Sequence, residues 1–173
     1  FYPSKEFISE IQKTCKKNNI CFIIDEITSG WRSTIGGVYK QLKIRPDIVV
    51  YGKGLGNGYP ISCIVGKKKY MNYAIKSFIS STAWTERIGF IAANATINYF
   101  TKNNVHKHIL SIGKQIKKGW ISLAKKHNIK LRVSDVIPLC TFFLDYSNKD
   151  ELYTFFSKEM LKHKIIASNS VYV

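Results

Sequence analysis

Lys53 is the residue in this chain best placed to do chemistry. It stands among Gly52, Gly54, Gly56 and Gly58, directly after the apolar run Asp47-Ile-Val-Val-Tyr51. A primary amine can condense with a carbonyl and afterwards move a proton, and partial desolvation at a strand end favours its neutral, nucleophilic form. The glycines allow positive φ and let a flat ligand come close to the backbone. An isolated Lys-Gly pair is ordinarily a solvated turn, because lysines are mostly exposed. A second stretch weighs against that reading. Cys21-Phe-Ile-Ile-Asp-Glu-Ile-Thr-Ser-Gly-Trp-Arg32 is another apolar run that passes straight into two carboxylates, Asp25 and Glu26. In open α/β sheets ligands sit beyond the strand ends. An acid and an amine at two neighbouring ends would share one crevice.

The elements that must hold these residues follow from periodicity. Pro3-Ser4-Lys5-Glu6 leads into a helix with Phe7, Ile8, Ile11 and Cys15 as its apolar stripe, stopped by Asn18-Asn19. Residues 20–25 and 47–51 read as strands, with a loop and a short element containing Gly36-Gly37 between them. Ile61–Val65 reads as a third strand, followed by a short helix from about Lys67 to Ile75. Strands with helices between them predict a largely parallel sheet. Glu86 opens a helix through Ile91, Ala95, Ile97 and Phe100, and Val105–His127 is expected as a longer one. Its stripe of Ile109, Ile112, Ile116, Trp120 and Leu123 reads as core. Beyond it come strands at Ile129–Ser134 and Leu139–Leu144, a helix at Asp150–His163 and the start of a strand pair at Ile165–Val173, an α+β pattern. The organisation changes near residues 104–115.

The 173 residues suffice for a real core. Lys plus Arg number 27 against 11 acidic residues, a net charge of +16, which is a legitimate nucleic-acid signal. The lysines, however, are scattered along helices, as in Lys13–Asn19 and Lys114–Lys118, and no recognition helix, RNP or zinc-finger pattern accompanies them. They read as solvated helix faces. Cys15, Cys21, Cys63 and Cys140 form no CxxC pair and suit a reducing compartment. His106, His108, His127 and His163 lack metal-ligand spacing. No run is long enough for a membrane span and no secretory signal opens the chain, so a soluble cytoplasmic protein without membrane partners is the expectation.

Three blocks resemble the class III (subgroup II) pyridoxal-phosphate aminotransferases. The first is Ile24-Asp25-Glu26-Ile27 with Gly30-Trp31-Arg32. The second is Pro46-Asp47-Ile48-Val49 through Gly52-Lys53-Gly54-Leu55-Gly56 and Gly58-Tyr59-Pro60; the third is Ser81-Thr82-Ala83-Trp84-Thr85-Glu86-Arg87-Ile88-Gly89. The Gly-Trp-Arg and Ser-Thr-x-Trp forms are most similar to the glutamate-1-semialdehyde aminomutase-like branch. The resemblance implies a fold type I α/β large domain in residues 1–104, and a bridging helix with an incomplete α+β small domain in 105–173. It also implies that the family's N-terminal half, with its phosphate loop and ring-stacking aromatic, and its extreme C-terminus lie outside this chain, so the fragment alone is expected to bind cofactor weakly or be inactive.

By the same resemblance, Lys53 forms the internal aldimine with pyridoxal 5′-phosphate and then serves as general base. Asp25 pairs with the pyridinium nitrogen. Thr82 reaches the cofactor phosphate of the neighbouring subunit, which implies a homodimer. Thr28 stands where many relatives carry a glutamine near the cofactor's phenolic oxygen, and that departure leaves the contact and the subtype open. Glu26 is expected to make structural salt bridges or hydrogen bonds, and Trp84 is otherwise a buried packing residue. The implied activity moves an amino group between an amino donor and a keto or aldehyde substrate, or within one substrate. A keto-sugar or other ω-aminotransferase on the same scaffold, and a non-catalytic basic nucleic-acid-binding module, are the alternatives.

Overall fold

The computed structural model describes residues 3–173, which fall into two compact units, Pro3–His106 and Lys107–Val173. In the first, helix α1 (Lys5–Lys17) is capped by the Ser4 hydroxyl, which accepts from the Phe7 N–H at 3.1 Å. Asn18 closes it, and Asn19 takes the left-handed φ of 56° common after a helix end. Ile8, Ile11 and Cys15 are half-buried, but Phe7 is exposed, so the apolar stripe is narrower than its sequence suggests.

Strands β1 (Ile23–Asp25) and β2 (Ile48–Tyr51) pair in parallel, with Ile23 opposite Ile48 and Asp25 opposite Val50. The connection between them carries a turn and the short helix α2 (Val38–Gln41), room enough for a crossover. Strand β3 (Cys63–Gly66) corrects the expectation of a largely parallel arrangement in this sheet: it runs antiparallel to β2, Tyr51 opposite Cys63. Residues 52–62 hold only a 3₁₀ turn (Lys53–Leu55) and glycine-rich loop. A parallel return needs a crossover of a dozen or more residues, so the short link forces a reversal. Asp47 ties all three strands together. Its Oδ2 accepts from the Phe22 N–H at 2.9 Å, its Oδ1 from Lys67 Nζ at 2.8 Å, and its carbonyl from the Lys67 N–H at 2.9 Å. Burial pushes the Asp47 carboxyl up, but the bonds from Lys67 and Phe22 prevail and hold it below the ordinary value.

Helices α3 (Lys68–Met71) and α4 (Arg87–Lys102) complete this unit. Gly89, Ala93 and Phe100 form the buried face of α4. A Cβ at Gly89 would lie 3.2 Å from the Pro60 carbonyl oxygen, so the helix start can press on the glycine loop only because the side chain is absent. The core beneath is Val49, Tyr51, Leu55 and Ala93, flanked by Trp31, Tyr39, Ile61, Cys63 and Ile97.

The second unit contains nearly all of α5 (Val105–Lys126), then β4 (Leu131–Val133), β5 (Leu139–Leu144), α6 (Lys149–Lys162) and β6 (Ser170–Tyr172). Its three strands form an antiparallel sheet in the order β4-β5-β6. The buried Phe142 ring meets Trp120 at 5.1 Å, Phe156 at 5.6 Å and Tyr153 at 6.1 Å between centroids. Cys140 is fully buried and donates its thiol hydrogen to the Ile137 carbonyl at 2.9 Å. Among the described residues no helix is long and apolar enough to cross a membrane.

Candidate active site

Two adjacent parallel strands end on the residues singled out above. β1 closes on Asp25, and β2 runs through Tyr51 and Gly52 into Lys53. The turn after β1 packs against the turn after β2. A Cβ on Gly54 would lie 3.3 Å from the Gly30 carbonyl, and one on Gly52 3.3 Å from Ile27 Cγ2. These small residues let the two turns approach closely, and the approach brings two side chains into contact. Lys53 Nζ donates to Thr28 Oγ1 at 2.7 Å.

Lys53 is exposed, not partly desolvated as its strand-end position suggested. Among the described residues it joins no ion pair, and its partner is a neutral hydroxyl. Its backbone has a φ of 41°, in the left-handed region that disfavours side chains bearing a Cβ. Asn19, Lys43, Asn57, Asn104, Asn128 and Lys164 share that sign of φ but follow helical turns, where it closes the turn. Lys53 instead opens a 3₁₀ turn, and Trp31 (φ 56°) lies in the facing turn after β1. Backbone strain of this kind persists where the surroundings over-determine it, as functional turns do.

The Asp25 carboxylate is exposed at the end of β1. Its Oδ1 accepts from the Ile27 N–H at 2.8 Å, and it makes no ion pair among the described residues. Its neighbour Glu26 faces inward and is 1% exposed. The Glu26 carboxylate accepts from the Ser29 hydroxyl and, at 2.9 Å, from the Tyr39 N–H. It is thus satisfied by hydrogen bonds, as a buried carboxylate must be. Above it, Tyr51 donates its hydroxyl hydrogen to Tyr39 at 3.4 Å. Burial, then the Tyr39 hydroxyl, then the charge of Glu26 push the Tyr51 hydroxyl well above the usual tyrosine range. Trp31 packs edge-on against Phe100, with centroids 5.7 Å apart.

Thr82 lies apart from this hydrogen-bonded group, in an exposed turn before α4. Trp84 in the same turn is 56% exposed, which overturns the reading of it as a buried packing residue. The turn is closed only by local backbone bonds, from the Trp84 N–H to Ser81 and from the Glu86 N–H to Ala83, both at 3.2 Å. Sequence reasoning missed the partners Ser29 and Tyr39 of Glu26, and the bond from Arg32 Nε to the Thr28 carbonyl at 2.8 Å. The Glu26–Ser29 spacing of three residues was the available signal for the first.

The family model described as "Aminotransferase class-III" matches residues 1–151 of the chain. The chain belongs to the class-III aminotransferase family. Among relatives of this family member, the 2'-deamino-2'-hydroxyneamine transaminase of Streptomyces kanamyceticus is 28% identical over 145 residues, 84% of this chain and 36% of that protein. A glutamate-1-semialdehyde 2,1-aminomutase of Bdellovibrio bacteriovorus is 31% identical over 141 residues, 78% of this chain and 32% of its own. The solved FumI protein of Sphingopyxis sp. MTA144, in its PLP internal aldimine form, superposes with a TM-score of 0.89 at 20% identity, over 98% of this chain and 41% of its own. That likeness is one of fold, the fold type I α/β architecture of PLP-dependent transaminases. The chain spans about a third of the length of the curated relatives it matches, 36% and 32%.

Class-III aminotransferases use pyridoxal 5′-phosphate. The residues at the strand ends suit that group. An amine outside any ion pair among the described residues, an accessible carboxylate one strand away, and close-packed glycine turns around them are a donor set for an aldehyde and a ring nitrogen.

Proposed function

We propose that the polypeptide carrying this chain is a pyridoxal-phosphate enzyme that transfers an amino group, with Lys53 as its reactive amine. One observation carries the reading: Asp25 ends β1, Lys53 opens the turn just after the adjacent parallel strand β2, and the Lys53 amine is hydrogen-bonded across the gap to the turn that follows Asp25. When bound, the cofactor supplies an electron-accepting ring that makes a proton on the substrate's neighbouring carbon removable. Lys53 holds the cofactor's aldehyde carbon and, once displaced by substrate, takes and returns that proton at Nζ. Asp25 holds the proton of the ring nitrogen through its carboxylate, since an anion beside the ring keeps the nitrogen protonated. The Thr82 hydroxyl, in an exposed turn leading into α4, is offered to a cofactor phosphate on a second copy of the chain, which makes the working unit a homodimer.

Residues 1–104 act as part of the cofactor-binding large domain, and 105–173 as a bridging helix with part of the small domain. Four unpaired cysteines fit a reducing, cytoplasmic setting. The substrates are a small amino donor and a keto or aldehyde acceptor. The 31% identity to a glutamate-1-semialdehyde aminomutase favours an aminomutase-like reaction, in which the amino group moves within one molecule. The 28% identity to an aminoglycoside transaminase supports a second reading, amination of a keto-sugar.

The test uses the longest natural polypeptide containing this sequence. It is incubated with pyridoxal 5′-phosphate, reduced with borohydride and digested for peptide mass. A pyridoxyl adduct on Lys53 is expected. An adduct elsewhere, or none on a folded protein, overturns the reading. Turnover of glutamate-1-semialdehyde against keto-sugars then separates the two reactions.

A further inference from the structure

The turn that carries Thr28 is tied down on several sides. The Glu26 N–H donates to the Val50 carbonyl at 2.8 Å, and its carbonyl accepts from the Gly30 N–H at 2.8 Å. Its buried carboxylate grips the turn through the Ser29 hydroxyl and links it to the start of α2 through the Tyr39 N–H. Arg32 Nε holds the Thr28 carbonyl itself at 2.8 Å. The Trp31 N–H donates to the Gly36 carbonyl at 2.7 Å, closing the far side. With its backbone fixed in this way, Thr28 has little freedom beyond its own rotamer, and its hydroxyl accepts from Lys53 Nζ at 2.7 Å.

The opposite side is fixed too. The Leu55 N–H donates to the Gly52 carbonyl at 2.9 Å, and Leu55 is buried in the core. A lysine stem has four rotatable bonds, and an exposed amine on such a stem otherwise samples a wide volume of solvent. We propose that Thr28 is a positioning residue for the Lys53 amine. Its hydroxyl keeps the amine against the turn that follows β1 whenever the amine is not covalently engaged. The buried Glu26 carboxylate is the anchor that keeps Thr28 in place. This rests on the reading of Lys53 as the reactive amine. It gives Thr28 a partner on this chain, where its place in the sequence pointed only to an oxygen of the cofactor.

Two rates on the longest natural polypeptide test it, in the parent, Thr28→Val and Thr28→Ser. The first is acylation of Lys53 by acetic anhydride in cofactor-free protein, scored by peptide mass against the other lysines. The second is the appearance of the borohydride-trapped pyridoxyl adduct on Lys53 at low pyridoxal 5′-phosphate. Thr28→Val removes the hydroxyl at nearly constant shape. It is expected to speed acylation about threefold, because the amine is released to solvent, and to slow adduct formation about tenfold, because the amine is no longer aimed. Thr28→Ser restores the hydroxyl and is expected to bring both rates within about twofold of the parent. Opposite movements with rescue by serine support the positioning role. Unchanged acylation in Thr28→Val overturns it, as does a parallel change of both rates or a serine variant that behaves like valine. A parent that forms no adduct on Lys53 overturns the function proposed above, and the acylation comparison still decides the role of Thr28.

Discussion

Around Phe142 the second unit is held ring against ring. Trp120, Tyr153 and Phe156 surround one buried aromatic, and the antiparallel strands place alternate residues inward with ordinary geometry. Around Glu26 the first unit is held quite differently. A buried carboxylate, two tyrosine hydroxyls, glycines with no space for a Cβ and two residues in left-handed backbone stand beside one small apolar cluster. Ring packing is forgiving in direction and scales with area. Hydrogen-bonded turns are unforgiving in direction but fix side chains to within a fraction of an ångström, which is what reactive groups require. The second unit is built for stability and the first for placement.

That contrast can be broken at several points. The largest effect is expected from Lys53→Ala, which should lower amino-transfer turnover of the full-length polypeptide by about 10²–10⁴-fold or more and leave the thermal midpoint unlowered. A variant that is equally active, or that unfolds, would erase the distinction between placement and stability. Phe142→Ala should do the reverse and cost about 3–5 kcal/mol of stability, measured by chemical denaturation. A cost below about 1 kcal/mol would show that the ring cluster is not what holds the second unit. Gly30→Ala tests the tightness of the first unit. Its Cβ would sit 2.7 Å from the Glu26 carbonyl oxygen and 2.8 Å from Tyr51 Cδ1, so a loss of about 1–3 kcal/mol is expected. A neutral result would mean that the turns have slack.

Thr82→Ala should leave stability alone and weaken pyridoxal 5′-phosphate binding about tenfold, the equivalent of ~1.4 kcal/mol. Equilibrium dialysis of the longest natural polypeptide checks this, and unchanged affinity would remove Thr82 from the phosphate role proposed for it. The smallest effect concerns Tyr51. Its hydroxyl is pushed above the ordinary tyrosine value of about 10 by burial, the Tyr39 hydroxyl and Glu26, so the folded chain holds this proton more tightly than the unfolded chain. Its contribution to stability is therefore whole below about pH 10 and is lost progressively as pH rises beyond that. Tyr51→Phe should cost under about 1 kcal/mol at neutral pH, because its hydrogen bond is long at 3.4 Å. Between about pH 9 and about pH 11 it should lose less stability than the parent. Superimposable pH curves would show that the Tyr39–Tyr51 pair carries no such load.

What the sequence made legible was set by local signals. The Leu139–Leu144 strand matches its apolar run residue for residue, because alternation and flanking turns bound it on both sides. Helices α4 and α5 begin at or one residue from their expected starts, since their stripes are long and end at Asn-rich stops. The residues at both strand ends were legible from the Lys53 and Asp25 motifs. The direction of β3 was not read, although the short link of residues 52–62 contained the answer, because an apolar run looks the same in either direction. The exposure of Lys53 and Trp84 was hidden for a different reason. Both depend on what surrounds a turn, and periodicity says nothing about that. The burial of Glu26 rests on Ser29 and on Tyr39, thirteen residues away, and the longer of those contacts leaves no trace in spacing.

Lys53 occupies backbone space that glycine or asparagine would fill more comfortably. On folding grounds alone, drift at this position would run toward those two residues as soon as the amine lost its use. On the function proposed above, a lysine at this position is held against a thermodynamic slope. In a diverging lineage its replacement by glycine or asparagine would be an early mark of a scaffold that had given up its reaction while gaining stability, before any change in the rest of the sheet.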